Sequence, residues 1–250
     1  MAAIKTHNLT KKYGEHIAVD NLNLEIYEGE LFSLLGINGA GKTTTVKMLT
    51  TLTSATSGDA FVLGDSILTD ADKIKENIDV SMQESAIARK LTVEENVDFY
   101  ARLCGQSGDE LAENKARVFK IFGLDAVKDK LASQLSGGYQ RKLSIALALV
   151  TRPRVLFLDE PTLGLDVISR RELWRAISEM KGGMTIILTT HYMEEAEALS
   201  DRIGVMKDGK MLFVGTKEEM FILSGTTSVE DAFIKIVEGG QGKCVNHFHE

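Results

Sequence analysis

Gly36-Ile37-Asn38-Gly39-Ala40-Gly41-Lys42-Thr43 decides the reading of this chain. It follows the apolar run Leu31–Leu35 and opens a helix-forming segment, Thr44–Leu52. Strand, glycine loop and helix in that order make a phosphate-binding loop. The glycines let the backbone curl so that successive N–H groups face a triphosphate, and the helix start adds partial positive charge. Lys42 is placed to reach the β- and γ-phosphates, and the Thr43 hydroxyl to help hold Mg²⁺. Gly36, Asn38, Gly39, Ala40, Gly41, Lys42, Thr43 and Thr44 are therefore candidate nucleotide contacts. The alternative is a chance glycine turn, against which stand all four fixed positions of the pattern, met in context.

Two further stretches fit a nucleotide site. Val155-Leu156-Phe157-Leu158-Asp159-Glu160 is an apolar run ending in two carboxylates. A buried strand that releases Asp and Glu at its carboxyl end puts both in the crevice where α/β folds bind ligands. Asp159 is then a candidate Mg²⁺ carboxylate, and Glu160 a group that polarises an attacking water. Taken alone, such a run reads equally as a strand ending in a solvated acidic turn; the phosphate loop upstream favours the functional reading. Leu135-Ser136-Gly137-Gly138-Tyr139-Gln140 supplies a second glycine-flanked helix start. Ser136 with the N–H groups of Gly137 and Gly138 forms another anion cradle, or, more plainly, a small-residue helix cap. Two cradles for one nucleotide make sense if the second serves a neighbouring subunit.

The rest of the pattern alternates. Before the loop, Ile17–Val19 and Leu22–Ile26 are strand-like, with Lys11-Lys12-Tyr13-Gly14 reading as a turn. Ser57-Gly58-Asp59 turns into the strand candidate Ala60–Leu63, and Ile78–Met82 is another. From about Glu84 to Leu135 helical periodicity takes over, with Thr92 and Glu95 spaced as a capping box for a helix Val93–Leu103 and a second helix over Glu110–Phe122. This reads as a helical insert, about residues 84–150, in an α/β domain. Then come a helix Gly138–Val150, a strand Val155–Leu158, a helix Ser169–Met180, a strand Thr185–Leu188 and a helix Met193–Leu199. Two strands, Ile203–Met206 and Met211–Val214, are joined by the hairpin signal Asp208-Gly209. A last helix, Val229–Val237, is capped by Ser228 with Asp231, and residues 241–250 read as a flexible tail. Strand–helix alternation of this kind predicts a mostly parallel sheet with helices on its faces.

Bulk properties bound the function classes. At 250 residues the chain suits one large domain, or a core plus a subdomain, with a sizeable interior. A net charge of −7 argues against a nucleic-acid partner. Cys104 and Cys244 have neither metal spacing nor a disulfide framework, which suits a reducing cytosol. His247 and His249 give too few ligands for a metal site. Apolar runs such as Ile145–Val150 fall far short of the roughly 20 residues that span a bilayer.

On these motifs the chain resembles the nucleotide-binding subunit of an ATP-binding cassette transporter over residues 1–240. Gly36–Thr43 resembles the family's Walker A loop, Val155–Glu160 its Walker B strand and Leu135–Gln140 its signature motif. Gln83 sits where the family has its glutamine loop, Gly164-Leu165-Asp166 resembles the D-loop, His191 the switch histidine, and Tyr13 the aromatic that stacks on adenine. The resemblance implies a P-loop core with a mostly parallel sheet, an N-terminal antiparallel β subdomain and the inserted helical subdomain. It implies a head-to-tail dimer in which each ATP lies between the phosphate loop of one chain and Ser136–Gly138 of the other, with Asp166 nearby. Glu160 would act as general base, Lys42 and His191 would stabilise the γ-phosphoryl, and Thr43, Gln83 and Asp159 would organise Mg²⁺. A separate integral membrane permease would dock on the insert, with Ala86–Leu91 the candidate surface, and would hold the chain at the cytoplasmic face of a membrane. Thr189–Glu197, Ser200–Ile203 and Ser228–Phe233 resemble subunits of drug, antibiotic and glycan exporters. A soluble cassette ATPase acting on ribosomes, DNA or a protein complex remains the alternative, as does a regulatory module with little turnover.

Overall fold

The computed structural model describes residues 1–84 and 86–239. The expectations for residues 241–250, including Cys244, His247 and His249, lie outside the described residues.

Two sheets organise the chain. The first is antiparallel and built on one long strand, β1 (Ala2–Tyr13), which pairs with β2 (His16–Leu22), β3 (Glu25–Tyr27) and β5 (Ser57–Val62), the last continued by β6 (Asp65–Ser66). Lys11 and Lys12 are thus not a turn: they pair with Val19 and Ile17, and the turn is at Gly14 and Glu15. Their polarity follows from a sheet with a solvated face. Ser57-Gly58-Asp59 also lies in a strand rather than a turn. Gly58 has φ +75°, and a Cβ there would stand 2.2 Å from the Asn8 carbonyl oxygen, at the register shift between His7 and Thr10. The glycine marks a bulge that no larger residue fits.

The second sheet has the order β11 (Lys210–Gly215), β10 (Arg202–Lys207), β4 (Leu31–Leu35), β9 (Thr185–Thr190), β8 (Val155–Asp159) and β7 (Ile78–Ser81). All neighbours are parallel except the β10–β11 hairpin, whose Asp208 and Gly209 both have positive φ. The three central strands β4, β8 and β9 are buried at every residue. Their side chains alternate between faces. Leu31, Leu156, Leu158, Ile186 and Leu188 pack with the insert helices, while Phe32, Leu34, Val155, Phe157 and Ile187 pack towards the first sheet. Each such leucine or phenylalanine stabilises by about 1.5–3 kcal/mol on burial, and the period of two assigns each to its layer.

Helix α1 (Lys42–Leu49) follows β4, and α2 (Ala71–Asn77) precedes β7. The phosphate-loop helix begins two residues earlier than the sequence pattern predicts, so Lys42 and Thr43 are themselves in its first turn. In the insert, α3 (Val93–Leu103) and α4 (Gly108–Phe122) lie on α5 (Gly137–Val150). The Thr92–Glu95 capping box is present in full. Helix α5 is buried at every residue from Arg141 to Val150, because it runs between α3 and α4 on one side and β7 and β8 on the other. Helix α6 (Val167–Glu179) and α7 (Met193–Leu199) flank β9 in the chain, and α8 (Lys217–Ser224) and α9 (Val229–Glu238) close the described residues. Ser228 caps α9 through Asp231 N–H as the spacing predicts.

Helix α8 is absent from the sequence reading, although it opens with a reciprocal capping box: Thr216 Oγ1 accepts from Glu219 N–H at 3.2 Å, and Glu219 Oε2 from Thr216 N–H at 2.7 Å. Thr216→Ala is expected to cost about 1 kcal/mol of stability in urea unfolding. An unchanged midpoint would mean that tertiary packing alone holds α8.

Candidate functional site

Parallel pairing lines up the carboxyl ends of four strands. Leu35 of β4 is in register with Thr190 of β9, Asp159 of β8 with Thr189, and Ser81 of β7 with Leu158. The segments that leave those ends are Gly36–Gly41, His191, Glu160 and Met82–Gln83. This edge of the sheet is where α/β folds place ligands.

The glycine loop is tightly built. A Cβ at Gly36 would lie 2.4 Å from the Met206 carbonyl oxygen, and one at Gly41 2.4 Å from that of Ala18, with Gly41 at φ +106°. Within the loop Ala40 N–H donates to the Ile37 carbonyl at 3.1 Å. Gly41 is the N-cap of α1 and supplies no side chain to it. The N–H groups of Gly39, Gly41, Lys42, Thr43 and Thr44 find no acceptor among the described residues. A row of free donors at a helix start with no acidic residue in its first turn is a cradle for an anion.

Lys42 bends over this cradle. Its Nζ donates to the carbonyls of Gly36 at 2.8 Å and Ile37 at 3.2 Å and stands 3.5 Å from Glu160 Oε1. Burial lowers its pKa, opposed by the Glu160 charge. Thr43 Oγ1 donates to the Asp159 carboxylate, at 3.1 Å from Oδ1 and 3.0 Å from Oδ2. Thr189 Oγ1 donates to Asp159 Oδ1 from the neighbouring strand. Asp159 is fully buried, so these hydroxyls provide the polar partners that a carboxylate there requires.

Glu160 follows in the left-handed region, φ +45°. A non-glycine residue held there costs on the order of 1–3 kcal/mol. Its N–H is fixed by Thr189, through both the carbonyl and the hydroxyl at 3.1 Å. His191 Nδ1 approaches the same Glu160 Oε1 at 3.2 Å, yet without hydrogen-bonding alignment, so that this buried nitrogen lacks a partner. The His191 ring lies 4.2 Å from that of Tyr192, which the Arg170 guanidinium covers at 4.4 Å.

Gln83 is exposed beyond the end of β7 and lines, with Thr43, Lys47, Asp159 and Tyr100, a cleft of about 490 Å³. Thr43, Asp159 and Gln83 present hard oxygens, the donor set that suits Mg²⁺ completed by phosphate and water. Among the described residues no cluster of three or more His, Cys, Asp or Glu could enclose a metal alone.

Below Gln83, Asp79 on β7 accepts from Val80 N–H, Thr151 Oγ1 and Tyr100 Oη. Burial pushes its pKa up to about 6. A carboxyl whose folded pKa exceeds its unfolded value favours the fold while protonated, and that contribution is lost as pH rises through about 6. Asp79→Asn is therefore expected to gain up to about 3 kcal/mol on the parent protein at pH 7.5, with the gain shrinking towards pH 4. Urea unfolding across that range measures it; a pH-independent gap would contradict the assignment.

Other candidate residues stand apart. Ser136 caps α5, accepting from Tyr139 N–H at 3.4 Å, and Asp166 caps α6 through the N–H groups of Ile168 and Ser169. The two helix starts touch, since a Cβ on Gly138 would stand 2.7 Å from Ser169 Oγ. No hydrogen bond joins Ser136–Gly138, Asp166 or Tyr13 to the phosphate loop among the described residues. Tyr13 is half exposed, with Lys11 Nζ 5.0 Å above its ring. Sequence reasoning passes over Thr189, a polar residue inside an apolar strand, and Glu195, fully buried and held by Trp174 Nε1 at 3.0 Å.

Residues 19–163 match the family model described as ABC transporter. The chain is 45% identical over 215 residues to the glucosylceramide transporter ABCA12 of Homo sapiens, a match covering 85% of this chain and 8% of that protein. It is 38% identical over 240 residues to the probable multidrug ABC transporter ATP-binding protein YbhF of Escherichia coli (strain K12), covering 94% of this chain and 41% of that protein. The chain thus spans less than half the length of these relatives. Among solved structures, cbiO1 from Clostridium perfringens, part of the ABC transporter complex cbiONQ, aligns with a TM-score of 0.81 at 29% identity over 88% of this chain and 91% of its own. The post-hydrolysis dimer of the ATP-binding cassette MJ0796, bound to ADP and Pi, aligns with a TM-score of 0.76 at 28% identity over 85% of this chain and 98% of its own.

Proposed function

The chain belongs to the ABC transporter family and is an ATPase of that family, and from this premise we propose that it drives export through a separate membrane subunit by ATP-dependent dimerisation. The observation that carries the reading is the convergence at the sheet edge: Lys42 and His191 approach one oxygen of Glu160, and Thr43 and Thr189 converge on Asp159. The names of the relatives, a glucosylceramide transporter and a probable multidrug transporter protein, support an apolar cargo.

The free N–H groups of Gly39 and of Gly41–Thr44 bind the β- and γ-phosphates of ATP. Lys42 exchanges its two loop carbonyls for phosphate oxygens, a trade of neutral acceptors for charged ones. Tyr13, exposed at the end of β1, stacks on adenine. Thr43, Asp159 and Gln83 hold Mg²⁺, which when bound neutralises charge on the β- and γ-phosphates. Glu160 accepts a proton from the attacking water or orients it, and His191 stabilises the γ-phosphoryl as charge shifts onto the leaving oxygen. Ser136, Gly137 and Gly138 of a second copy close the site, with Asp166 beside them. Two positively polarised helix ends then share one triphosphate, so ATP joins the copies and hydrolysis parts them.

No helix among the described residues is long and apolar enough to cross a membrane. In the proposal the membrane path belongs to a partner that docks on the insert near Ala86–Leu91. Affinity isolation of the tagged chain from detergent-solubilised membranes of its host tests this. Near-equal recovery of a polytopic membrane protein is expected; recovery only with ribosomes or soluble proteins would leave the ATPase and overturn the transport role.

A further inference from the structure

Arg141 is a cation at the start of the buried stretch of α5, only 5% exposed. Its guanidinium gives all its hydrogen bonds to backbone carbonyls. Nε donates to Pro161 at 2.8 Å and Nη2 to Asp159 at 2.8 Å, while Nη1 donates to Met82 at 2.6 Å and, more weakly, to Gln83 at 3.5 Å. Asp159 and Pro161 are the residues on either side of Glu160. One edge of the guanidinium therefore spans the Glu160 residue, and the opposite nitrogen holds the start of the glutamine segment. Burial pushes its pKa down to about 10, so the group stays charged at neutral pH, favoured by the Asp159 and Glu195 charges.

We propose that Arg141 is a positioning residue for hydrolysis: it clamps the carbonyls flanking Glu160, holding that residue in its left-handed conformation, and ties the Gln83 segment to the same cation. The inference rests on the assignment of Glu160 and Gln83 above. Three features single it out. Glu160 is a non-glycine residue at positive φ, and such a conformation persists only where its surroundings determine it. Next, Thr189 fixes the Glu160 N–H side, leaving the flanking carbonyls to Arg141. Last, the planar fork of arginine serves diverging acceptors at once, which the single ammonium of lysine does not. None of these bonds reaches Gly36–Thr43, so the phosphate loop keeps its shape without the clamp, and the expected loss falls on the chemical step.

The alternative is that Arg141 merely fastens α5 to the sheet. Arg117 on α4 provides the control, because its Nη2 also donates to a buried carbonyl, that of Leu149 on α5 at 2.7 Å, and to none beside Glu160 or Gln83. The test compares Arg141→Lys, Arg141→Met, Arg117→Met and Glu160→Gln for kcat, for KM with MgATP and for thermal unfolding. Both Arg141 variants are expected to lose about tenfold or more in kcat with KM within about threefold, as a group misplaced by an ångström loses rate without losing substrate. Arg117→Met is expected to lower Tm with kcat within about twofold. If Arg141→Met fails to fold, Arg141→Lys decides alone. A kcat for Arg141→Lys within about threefold of the parent, or a fall that appears only as raised KM, would overturn the proposal. Undiminished turnover by Glu160→Gln would instead overturn the site assignment beneath it.

Discussion

Replacing Glu160 by Gln is expected to lower ATP turnover by about 100-fold or more, while ATP still binds as tightly as in the parent chain or more tightly. Both halves follow from the same oxygen. Glu160 Oε1 stands 3.2 Å from His191 Nδ1 and 3.5 Å from Lys42 Nζ, beside the cradle where the γ-phosphate sits in the proposed complex. An amide there cannot accept a proton from water at neutral pH, so the chemical step loses the base proposed for it. The amide also removes a negative charge from the neighbourhood of a polyanion and releases Lys42 from its carboxylate, which favours binding. Rapid-quench hydrolysis and equilibrium nucleotide titration separate the two effects. Unimpaired hydrolysis would contradict the role of Glu160, and abolished binding would mean that its charge holds the loop together.

Gly41→Ala is expected to abolish measurable ATP binding, a loss of about 100-fold or more in affinity, since the cradle cannot keep its shape. The left-handed conformation alone costs an alanine about 1–2 kcal/mol. The larger obstacle is steric: the added Cβ would meet the Ala18 carbonyl oxygen at 2.4 Å and the Met206 side chain at 2.9 Å. Backbone of β2 must then move, or the loop must. Gly39→Ala is the informative comparison, because Gly39 also has positive φ, +82°, but a Cβ there meets nothing within 4 Å. It is expected to lose only the conformational cost, about 1–2 kcal/mol in urea unfolding. Equal effects of the two substitutions on stability would mean that the contact with β2 is not what shapes the loop.

Much of this architecture is legible in the sequence where one short stretch carries both the local conformation and its chemistry. The phosphate loop, the Val155–Asp159 strand, the Thr92–Glu95 box and the Asp208-Gly209 turn are of that kind. Each states its geometry within a few residues. The first sheet is harder to read because Lys11, Lys12 and Ser57-Gly58-Asp59 are polar stretches whose strand character comes from pairing across the sheet. Glu195 is one of several acids in a short helical segment, and nothing local in the sequence marks it as fully buried with Trp174 on α6 donating to it. Arg141 and Thr189 look like ordinary helix and strand residues, and their partners are carbonyls and a carboxylate far along the chain. Helix α8 is different: its signal, Thr216 followed by Glu219, is present in the sequence and goes unread because the helix is short. Ser136–Gly138 and Asp166 carry their motif plainly, but the ligand proposed for them lies in another copy of the chain.

That second copy is the centre of the account, and its presence is directly measurable. Light scattering of the Glu160→Gln chain with MgATP at saturation, against the same chain without nucleotide, reads the assembled mass. A shift from 27.4 kDa to twice that mass on adding ATP is predicted, because hydrolysis no longer parts the copies. A mass that stays at 27.4 kDa while ATP is demonstrably bound would contradict the shared site.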